Sequence, residues 1–318
     1  MIDSSSVLSK RLTFFTGKGG VGKSALSVAM GQLHARQGER VLIIEMNARS
    51  RVGPLYGRSD VGYEPVRIDD NLYVINVTPR EALEEYMRIV FKFRFVADRV
   101  IHNSLFKVFT KALPGMDDLV TMGKIWYLER DRQRNGKPTW DRLIVDAPAT
   151  GHGITFLRFP QVAIDTVRVG PIAKSAEDIR DMLLDETKTS VNLVTLPEEL
   201  PVNETIELYQ SLEDIVGVPF GFVFINAVYP RLFSDKATAF IEDGDPEILR
   251  PVAGEHAEGM LDAARTQTGR EALNRRHIER LKAAVPAQFI ELPLIFSERF
   301  DRHAIEAISH SLEESLPL

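Results

Sequence analysis

The 318-residue sequence contains no cysteine. This absence excludes structural disulfides and zinc sites built on thiolates, and it excludes a soft-metal thiolate site of the kind that binds arsenite. The seven histidines are scattered, and no pair has the helical spacing of metal ligands. Metal chemistry based on cysteine or histidine is therefore not expected.

Long apolar runs are also missing from the sequence. No uncharged stretch approaches the roughly 18 residues of a membrane span, and the longest candidate, residues 216–230, contains Asn226 and two prolines. Residues 1–10 are polar and serine-rich, which is not typical of a signal peptide. We therefore expect a cytoplasmic protein without a transmembrane segment.

The charge balance is mildly acidic, with a formal net charge of −6 and a pI near 5.7. Such a balance argues against general nucleic-acid binding, because phosphate backbones attract basic surfaces. The chain length and the proportions of apolar and charged residues are those of a globular protein with a large core.

A phosphate-binding loop is the most informative motif that the chain does contain. Residues 17–24 read Gly-Lys-Gly-Gly-Val-Gly-Lys-Ser, between an apolar segment and a helix-forming run at 25–36. This matches the pattern G-x-x-x-x-G-K-[ST] in the required strand–loop–helix context. The predicted nucleotide-binding residues of the loop are Gly17, Gly19, Gly20, Val21, Gly22, Lys23, Ser24 and Ala25.

The residue types of this loop suit a triphosphate. Glycines leave room for backbone N–H groups to approach the phosphates, and they permit the positive φ angles that such a loop needs. Lys23 can reach the β- and γ-phosphate oxygens, and the Ser24 hydroxyl can bind a Mg²⁺ ion that bridges them. The alternative is a glycine-rich turn that binds nothing.

Strands and helices alternate through much of the chain, which predicts an α/β fold with a mostly parallel central sheet flanked by helices. A single domain over residues 1–318 is expected. Long separations between strands predict an inserted helical subdomain at about residues 80–134 and a shorter insertion at about 160–189. Residues 234–258 are polar and are predicted to form a segment that lies on the protein surface. After the first strand, the predicted strands are 40–44, 72–77, 140–146, 190–196, 221–226 and 289–292, and the clearest helices are 202–215 and 270–284.

The strand predicted at 140–146 ends in Asp146. An aspartate at the carboxyl end of a buried strand beside a phosphate loop is suited to hold the magnesium shell, directly or through water. Asp146 therefore occupies the Walker B position. Ser24 and Asp146 are the predicted metal ligands, and magnesium bound with the nucleotide is the predicted metal.

Three stretches resemble one family of ATPases. Lys18, just after the first glycine, is typical of "deviant" Walker A loops, and the loop resembles those of the MinD, ParA, nitrogenase-iron-protein and ArsA ATPases. Residues 146–152 read Asp-Ala-Pro-Ala-Thr-Gly-His, similar to switch II of the ArsA family. Residues 113–118 read Leu-Pro-Gly-Met-Asp-Asp and resemble a stretch that precedes Walker B in that family, which includes arsenical-pump and tail-anchored-protein-targeting ATPases.

The resemblance implies a P-loop fold and a dimeric, Mg²⁺-dependent ATPase, either a homodimer or a heterodimer with a paralogue. It implies that Lys18 reaches the nucleotide of the other subunit, the alternative being a solvated loop lysine. It also puts Asn226 and Pro293 at the positions where the family binds adenine. An equally good alternative is that Asn226 caps the end of a strand and that Pro293 belongs to an ordinary turn.

The resemblance fails at switch I. Family members usually carry an aspartate after the second strand that orients or activates the attacking water, and here Asn47 occupies that position. An amide can align water but cannot act as a carboxylate base. Glu45 is a possible substitute, or simply a solvated carboxylate, so we expect slow hydrolysis. The predicted catalytic residues are Lys18, Lys23, Glu45, Asn47 and Asp146.

Residues 86–111 carry five phenylalanines among six basic residues and one aspartate. Their apolar positions cover more of a helix than one core-facing stripe requires. They either pack within a helical subdomain or receive a hydrophobic client helix or a membrane-associated protein, as the tail-anchor-targeting relatives do. A nucleotide-gated binding module with little hydrolysis and a MinD- or ParA-like positioning ATPase are alternatives in function.

Overall fold

The computed structural model describes residues 10–46, 49–90, 115–149, 152–166, 170–215 and 217–316. Its strands are β1 (Leu12–Gly17), β2 (Val41–Glu45), β3 (Val66–Asp69), β4 (Leu72–Asn76), β5 (Arg142–Ala149), β6 (Thr189–Thr195), β7 (Phe220–Val228) and β8 (Gln288–Pro293). Its helices are α1 (Lys23–Arg36), α2 (Val52–Leu55), α3 (Pro79–Val90), α4 (Met116–Arg130), α5 (His152–Thr166), α6 (Pro171–Leu184), α7 (Glu199–Ile215), α8 (Asp235–Asp243), α9 (Arg250–Ala253), α10 (Ala257–Ala284) and α11 (Arg302–Ser315).

All of these strands form one sheet in the order β3-β4-β2-β5-β1-β6-β7-β8. Neighbouring strands are parallel, except that β3 pairs antiparallel with β4 at one edge. The carboxyl ends of the parallel strands therefore meet along one side of the sheet. The predicted α/β fold with a mostly parallel sheet is confirmed.

The two faces of the sheet are covered by separate hydrophobic cores. Successive side chains of a strand point to opposite faces, so Phe14 of β1 belongs to one core and its neighbour Phe15 to the other. Strands buried on both faces read as continuous apolar runs, and β2 is buried over its whole length. This explains why the strands were recognisable from composition.

One face is covered by α1 and α11, which pack against each other. Helix α1 lies very close to the sheet at Gly31, where a Cβ atom would come within 2.5 Å of Ile43 Cδ1. The opposite face is covered by helices α4 to α7, whose buried residues include Met122, Phe156 and Ile179. Together these layers hold the strand ends in fixed positions.

The structure agrees with the predicted strands within about two or three residues at each end, a typical boundary error. It differs in two places. Strand β3 was not predicted, and α10 begins at Ala257, thirteen residues before the predicted start at 270. Residues 234–258 lie at the surface as expected, but they form α8, α9 and two short 3-10 turns, with Ile241 and Ala257 as the buried apolar residues.

The predicted insertion at 80–134 overlaps α3 and α4, and residues 91–114 between them lie outside the described residues. The shorter span at 160–189 covers the end of α5 and all of α6. That these spans are insertions into a single domain stays a prediction. Within the part of the chain that the structure describes, no helix is long and apolar enough to cross a membrane.

Candidate nucleotide-binding site

The predicted site residues converge at the carboxyl edge of the parallel sheet. The phosphate loop follows β1 at the centre of the sheet, Glu45 ends β2, and Asp146 lies in β5 between them. On the other side, Asn226 lies near the end of β7 and Pro293 ends β8. Parallel strand order therefore brings residues from five separate segments to one edge, where ligands of open α/β sheets bind.

The backbone of the phosphate loop runs through spaces too narrow for side chains. A Cβ atom on Gly17, which has φ of 148°, would lie 2.2 Å from the Val194 carbonyl oxygen. A Cβ atom on Gly22, with φ of 95°, would lie 2.3 Å from Asn226 Nδ2. Gly20 has φ of 88° and faces open space. The loop is thus pressed against β6 and β7 on one side and open on the other.

The first turn of α1 is available to an anion. Gly22 is its N-cap residue, and no side chain caps the N–H groups there. An uncapped helix N-terminus directly after a glycine-rich loop provides N–H donors and the positive end of the helix dipole. The local backbone is therefore suited to bind phosphate.

Lys23 holds its ammonium group inside this loop. Its Nζ atom donates to the carbonyl oxygens of Gly17 at 2.9 Å and Lys18 at 2.7 Å. Burial lowers the pKa of Lys23, and the positive charge of Arg51 lowers it further, while Asp146 opposes both effects. A buried cation anchored by carbonyls in this way is positioned to bind phosphate oxygens.

Ser24 and Asp146 are in direct contact. The Ser24 hydroxyl donates to Asp146 Oδ2 at 2.5 Å. Burial raises the pKa of Asp146, and the Ser24 hydrogen bond and the charges of Lys23 and Arg51 oppose this rise. A hydroxyl beside a carboxylate offers the oxygen ligands that Mg²⁺ prefers.

These two side chains cannot form a metal site alone. In the described ranges, no three Asp, Glu, His or Cys residues are grouped to hold a metal ion. A Mg²⁺ ion at Ser24 and Asp146 would take its other ligands from phosphate oxygens and water, as is usual for this ion. The residues therefore fit a metal that binds together with a nucleotide.

Glu45 is completely buried at the end of β2. One carboxylate oxygen accepts the Ser50 hydroxyl, and the other accepts the backbone N–H groups of Arg51 at 2.7 Å and Val52 at 3.2 Å. Burial raises the pKa of Glu45, against the effect of these hydrogen bonds. In this arrangement Glu45 organises the following loop, and its role with the catalytic water stays a prediction. Asn47 lies outside the described residues.

Lys18 forms an ion pair within its own chain. Its Nζ atom lies 2.5 Å from Glu204 Oε1 on α7, and about a third of each side chain is exposed. The action of Lys18 on a second subunit therefore stays a prediction, and such action would require this ion pair to break.

Asn226 is directed at the phosphate loop by an irregularity in β7. The register between β7 and β8 shifts between Ile225 and Val228, and Ala227 has φ of 55° in the left-handed region. This bulge leaves Asn226 Nδ2 donating to the Val21 carbonyl oxygen at 3.0 Å. Pro293 pairs with Val228 beyond the bulge and is exposed. Contact of Asn226 and Pro293 with adenine stays a prediction.

Several residues of the site were not found from the sequence. Ser50 was missed, although a serine just before a short helix is a recognisable capping signal, and its hydroxyl also accepts the N–H of Gly53. Glu204 is 186 positions from Lys18, and no local pattern links the two. Ala227 has no sequence signal for its positive φ.

The fit between Gly22 and Asn226 gives a test of the loop geometry. Gly22→Ala should lower the free energy of unfolding by about 1–3 kcal/mol, because a left-handed residue would gain a Cβ that meets Asn226. Gly19→Ala is the matched control, since Gly19 lacks a positive φ and its Cβ would have an ordinary contact at 3.9 Å. Its effect should stay within about 0.5 kcal/mol. Denaturant unfolding of both variants checks this, and equal losses would contradict the described loop.

Comparison with known proteins identifies the family of this chain. The chain is 26% identical over 318 residues to the ATPase BagA of Mycobacterium tuberculosis, which covers 96% of this chain and 93% of the relative. It is also 26% identical over 300 residues to the arsenical pump-driving ATPase of Acidiphilium multivorum, which covers 88% of this chain and 50% of the relative. A family model described as anion-transporting ATPase, of the ArsA type, matches residues 10–169 and 167–243. The chain therefore belongs to the ArsA ATPase family.

Proposed function

We propose that this protein is a Mg²⁺-dependent ATPase that works as a dimeric switch, hydrolysing ATP to ADP and phosphate. The proposal rests on the Lys23 ammonium held inside the phosphate loop and on the Ser24 hydroxyl bonded to Asp146 of the neighbouring strand β5, at the same edge of the sheet. Family membership independently supports an ATPase function.

In this proposal, catalysis is charge stabilisation. Lys23 and the N–H groups at the start of α1 would bind the phosphates, and Ser24 and Asp146 would hold the metal. Mg²⁺ would supply positive charge that neutralises the phosphate oxygens. Asn47 and Glu45 align the attacking water, and the absence of an aspartate at position 47 makes turnover slow.

Low turnover is also the basis of a second candidate function. The Glu45 carboxylate accepts three donors from its own loop, so activating water would require it to give up part of this network. A nucleotide-gated binding module with little hydrolysis, paired with a more active paralogue, fits this observation. Phosphate release by the isolated protein separates the two functions.

The switch needs a second subunit, and Lys18 is the residue proposed to cross the interface. Its ion pair with Glu204 is partly exposed, and such pairs contribute only about 0–1 kcal/mol. A phosphate group from a partner subunit can therefore compete for Lys18. Nucleotide binding would then favour pairing, and pairing would complete the charge around the γ-phosphate.

Mixing two inactive variants tests this arrangement. Lys18→Ala should lose hydrolysis because it cannot complete the partner's site, and Asp146→Asn should lose hydrolysis in its own site. A mixed dimer would have one complete site, so an equimolar mixture should recover about a quarter of the parent rate if the pair is symmetric. Phosphate release and particle mass are measured together, with and without ATP and Mg²⁺.

The control is each variant alone at the same total concentration. No recovery in the mixture would show that Lys18 acts within its own chain. A parent protein that hydrolyses ATP at full rate as a monomer would contradict the dimeric switch.

The same proposal includes nucleotide-controlled binding of a hydrophobic client or partner. An apolar cavity of about 230 Å³ lies between α3, α4 and α6. Lys124 at its wall is paired with Glu85 at 2.8 Å, which leaves the lining apolar in character. Ile89 and Tyr127 on its rim are 59% and 47% exposed. The residues that line it include Tyr86, Ile89, Leu119, Tyr127, Ile172 and Ile179.

Two residues of the aromatic and basic stretch at 86–111, Tyr86 and Ile89, line this cavity. The rest of that stretch, from residue 91, lies outside the described residues. Exposed apolar residues around an apolar cavity favour a hydrophobic partner such as an amphipathic or apolar helix.

Ile89→Asp should therefore weaken binding of a labelled apolar helical peptide by about tenfold or more, because a charge would be buried against the peptide. ATP binding should stay unchanged. Leu273→Asp is the matched control, since Leu273 is 47% exposed on α10 and is not among the residues that line the cavity. Fluorescence anisotropy with and without ATP and Mg²⁺ measures both. Equal peptide affinity in the parent, Ile89→Asp and Leu273→Asp proteins would contradict client binding at this cavity.

A further inference from the structure

Arg51 is held beside the candidate site by its backbone. Its N–H donates to Glu45 Oε1 at 2.7 Å, and Glu45 is fully buried. Glu45 in β2 lies directly opposite Asp146 in β5 in the sheet register, and Asp146 accepts the Ser24 hydroxyl. The backbone of Arg51 is therefore held by the Glu45 carboxylate, and Glu45 lies beside Asp146 on the neighbouring strand.

The side chain of Arg51 is exposed and forms no hydrogen bond or ion pair with any residue that the structure describes. Two arginines farther along the chain are paired, Arg58 with Asp60 and Arg67 with Asp70. An unpaired guanidinium beside a phosphate loop can form bidentate hydrogen bonds with phosphate oxygens.

The charge of Arg51 acts on the groups that face the phosphates. It is one of the causes that lower the pKa of Lys23 and that oppose the rise in the pKa of Asp146. Lys23 follows the loop after β1, whereas Arg51 lies in the loop after β2. The two cations therefore come from different strands at the same edge of the sheet.

We propose that Arg51 contacts the terminal phosphate of a bound nucleoside triphosphate and stabilises the charge on it during hydrolysis. This inference rests on the proposed ATPase function and adds a residue that the phosphate-loop motif does not contain. Because the Glu45–Ser50–Arg51 network continues into α2, contact with the terminal phosphate would also distinguish ATP from ADP at the switch I loop.

The test compares Arg51→Gln with Arg49→Gln in the full-length protein. Arg49 lies two positions earlier and lines a cavity with Ser50, Arg58 and Asn76, so it serves as the matched control. Calorimetry with Mg²⁺ and a non-hydrolysable ATP analogue should show that Arg51→Gln weakens binding about tenfold or more, a loss typical of a charged hydrogen bond. ADP affinity should stay within about twofold, and phosphate release should fall by about a hundredfold or more. Arg49→Gln should match the parent in all three measurements.

The anchoring bond to Glu45 comes from the backbone of Arg51, so Arg51→Gln should fold normally. Its melting temperature without nucleotide should lie within about 2 °C of the parent. Arg51→Lys, which keeps the charge but not the fork geometry, should retain more affinity for the analogue than Arg51→Gln.

A parent protein that binds the analogue, together with an Arg51→Gln variant that binds it equally well, would overturn the role of Arg51 and leave the proposed function intact. Equal losses for the analogue and for ADP would also overturn the role, because the effect would not depend on the terminal phosphate. A parent that binds neither nucleotide would overturn the proposed function and this inference together.

Discussion

Gly17 and Gly22 lie where the backbone itself touches the neighbouring strands, and this close approach determines the rest of the site. A side chain on Gly17 would meet the backbone of β6, and one on Gly22 would meet Asn226 of β7. The loop is pressed against the sheet there and has open space at Gly20, and the carbonyl oxygens of Gly17 and Lys18 hold the Lys23 ammonium inside it. The Ser24–Asp146 contact then fixes the start of α1 against β5.

The second property of the site is that its charged groups, Lys23, Asp146 and Glu45, are buried. Burial lowers the pKa of Lys23 and raises those of Asp146 and Glu45, so each charged form is disfavoured by its surroundings. Removing a charge from water is costly unless it is hydrogen-bonded or paired. Glu45 accepts three hydrogen bonds from its own loop, whereas we propose that Lys23 and Asp146 bind phosphate and metal. Groups of similar burial therefore differ in their proposed roles.

Much of the fold and part of the site could be predicted from the sequence. Strands buried on both faces have an unmistakable apolar composition, and the phosphate loop combines several residue requirements within eight positions. Strand β3 was missed because Val66–Asp69 is short, half-polar and at the sheet edge. The first half of α10 was missed because residues 257–269 include two glycines and few buried apolar positions. The contacts of Lys18 with Glu204 and of Asn226 with Val21 join segments that are far apart in the sequence. They could not be predicted, because no local pattern indicates which distant segments meet in the fold.

We propose that the loop at residues 17–24 binds a triphosphate through its backbone and Lys23. Titration calorimetry of the parent and of Lys23→Ala with ATP, in the presence and absence of Mg²⁺, tests this most directly. We expect one saturable ATP site per chain in the parent, tighter with Mg²⁺, and an affinity lower by about tenfold or more in Lys23→Ala. Absence of ATP binding by the parent, or equal affinity in the two proteins, would contradict it.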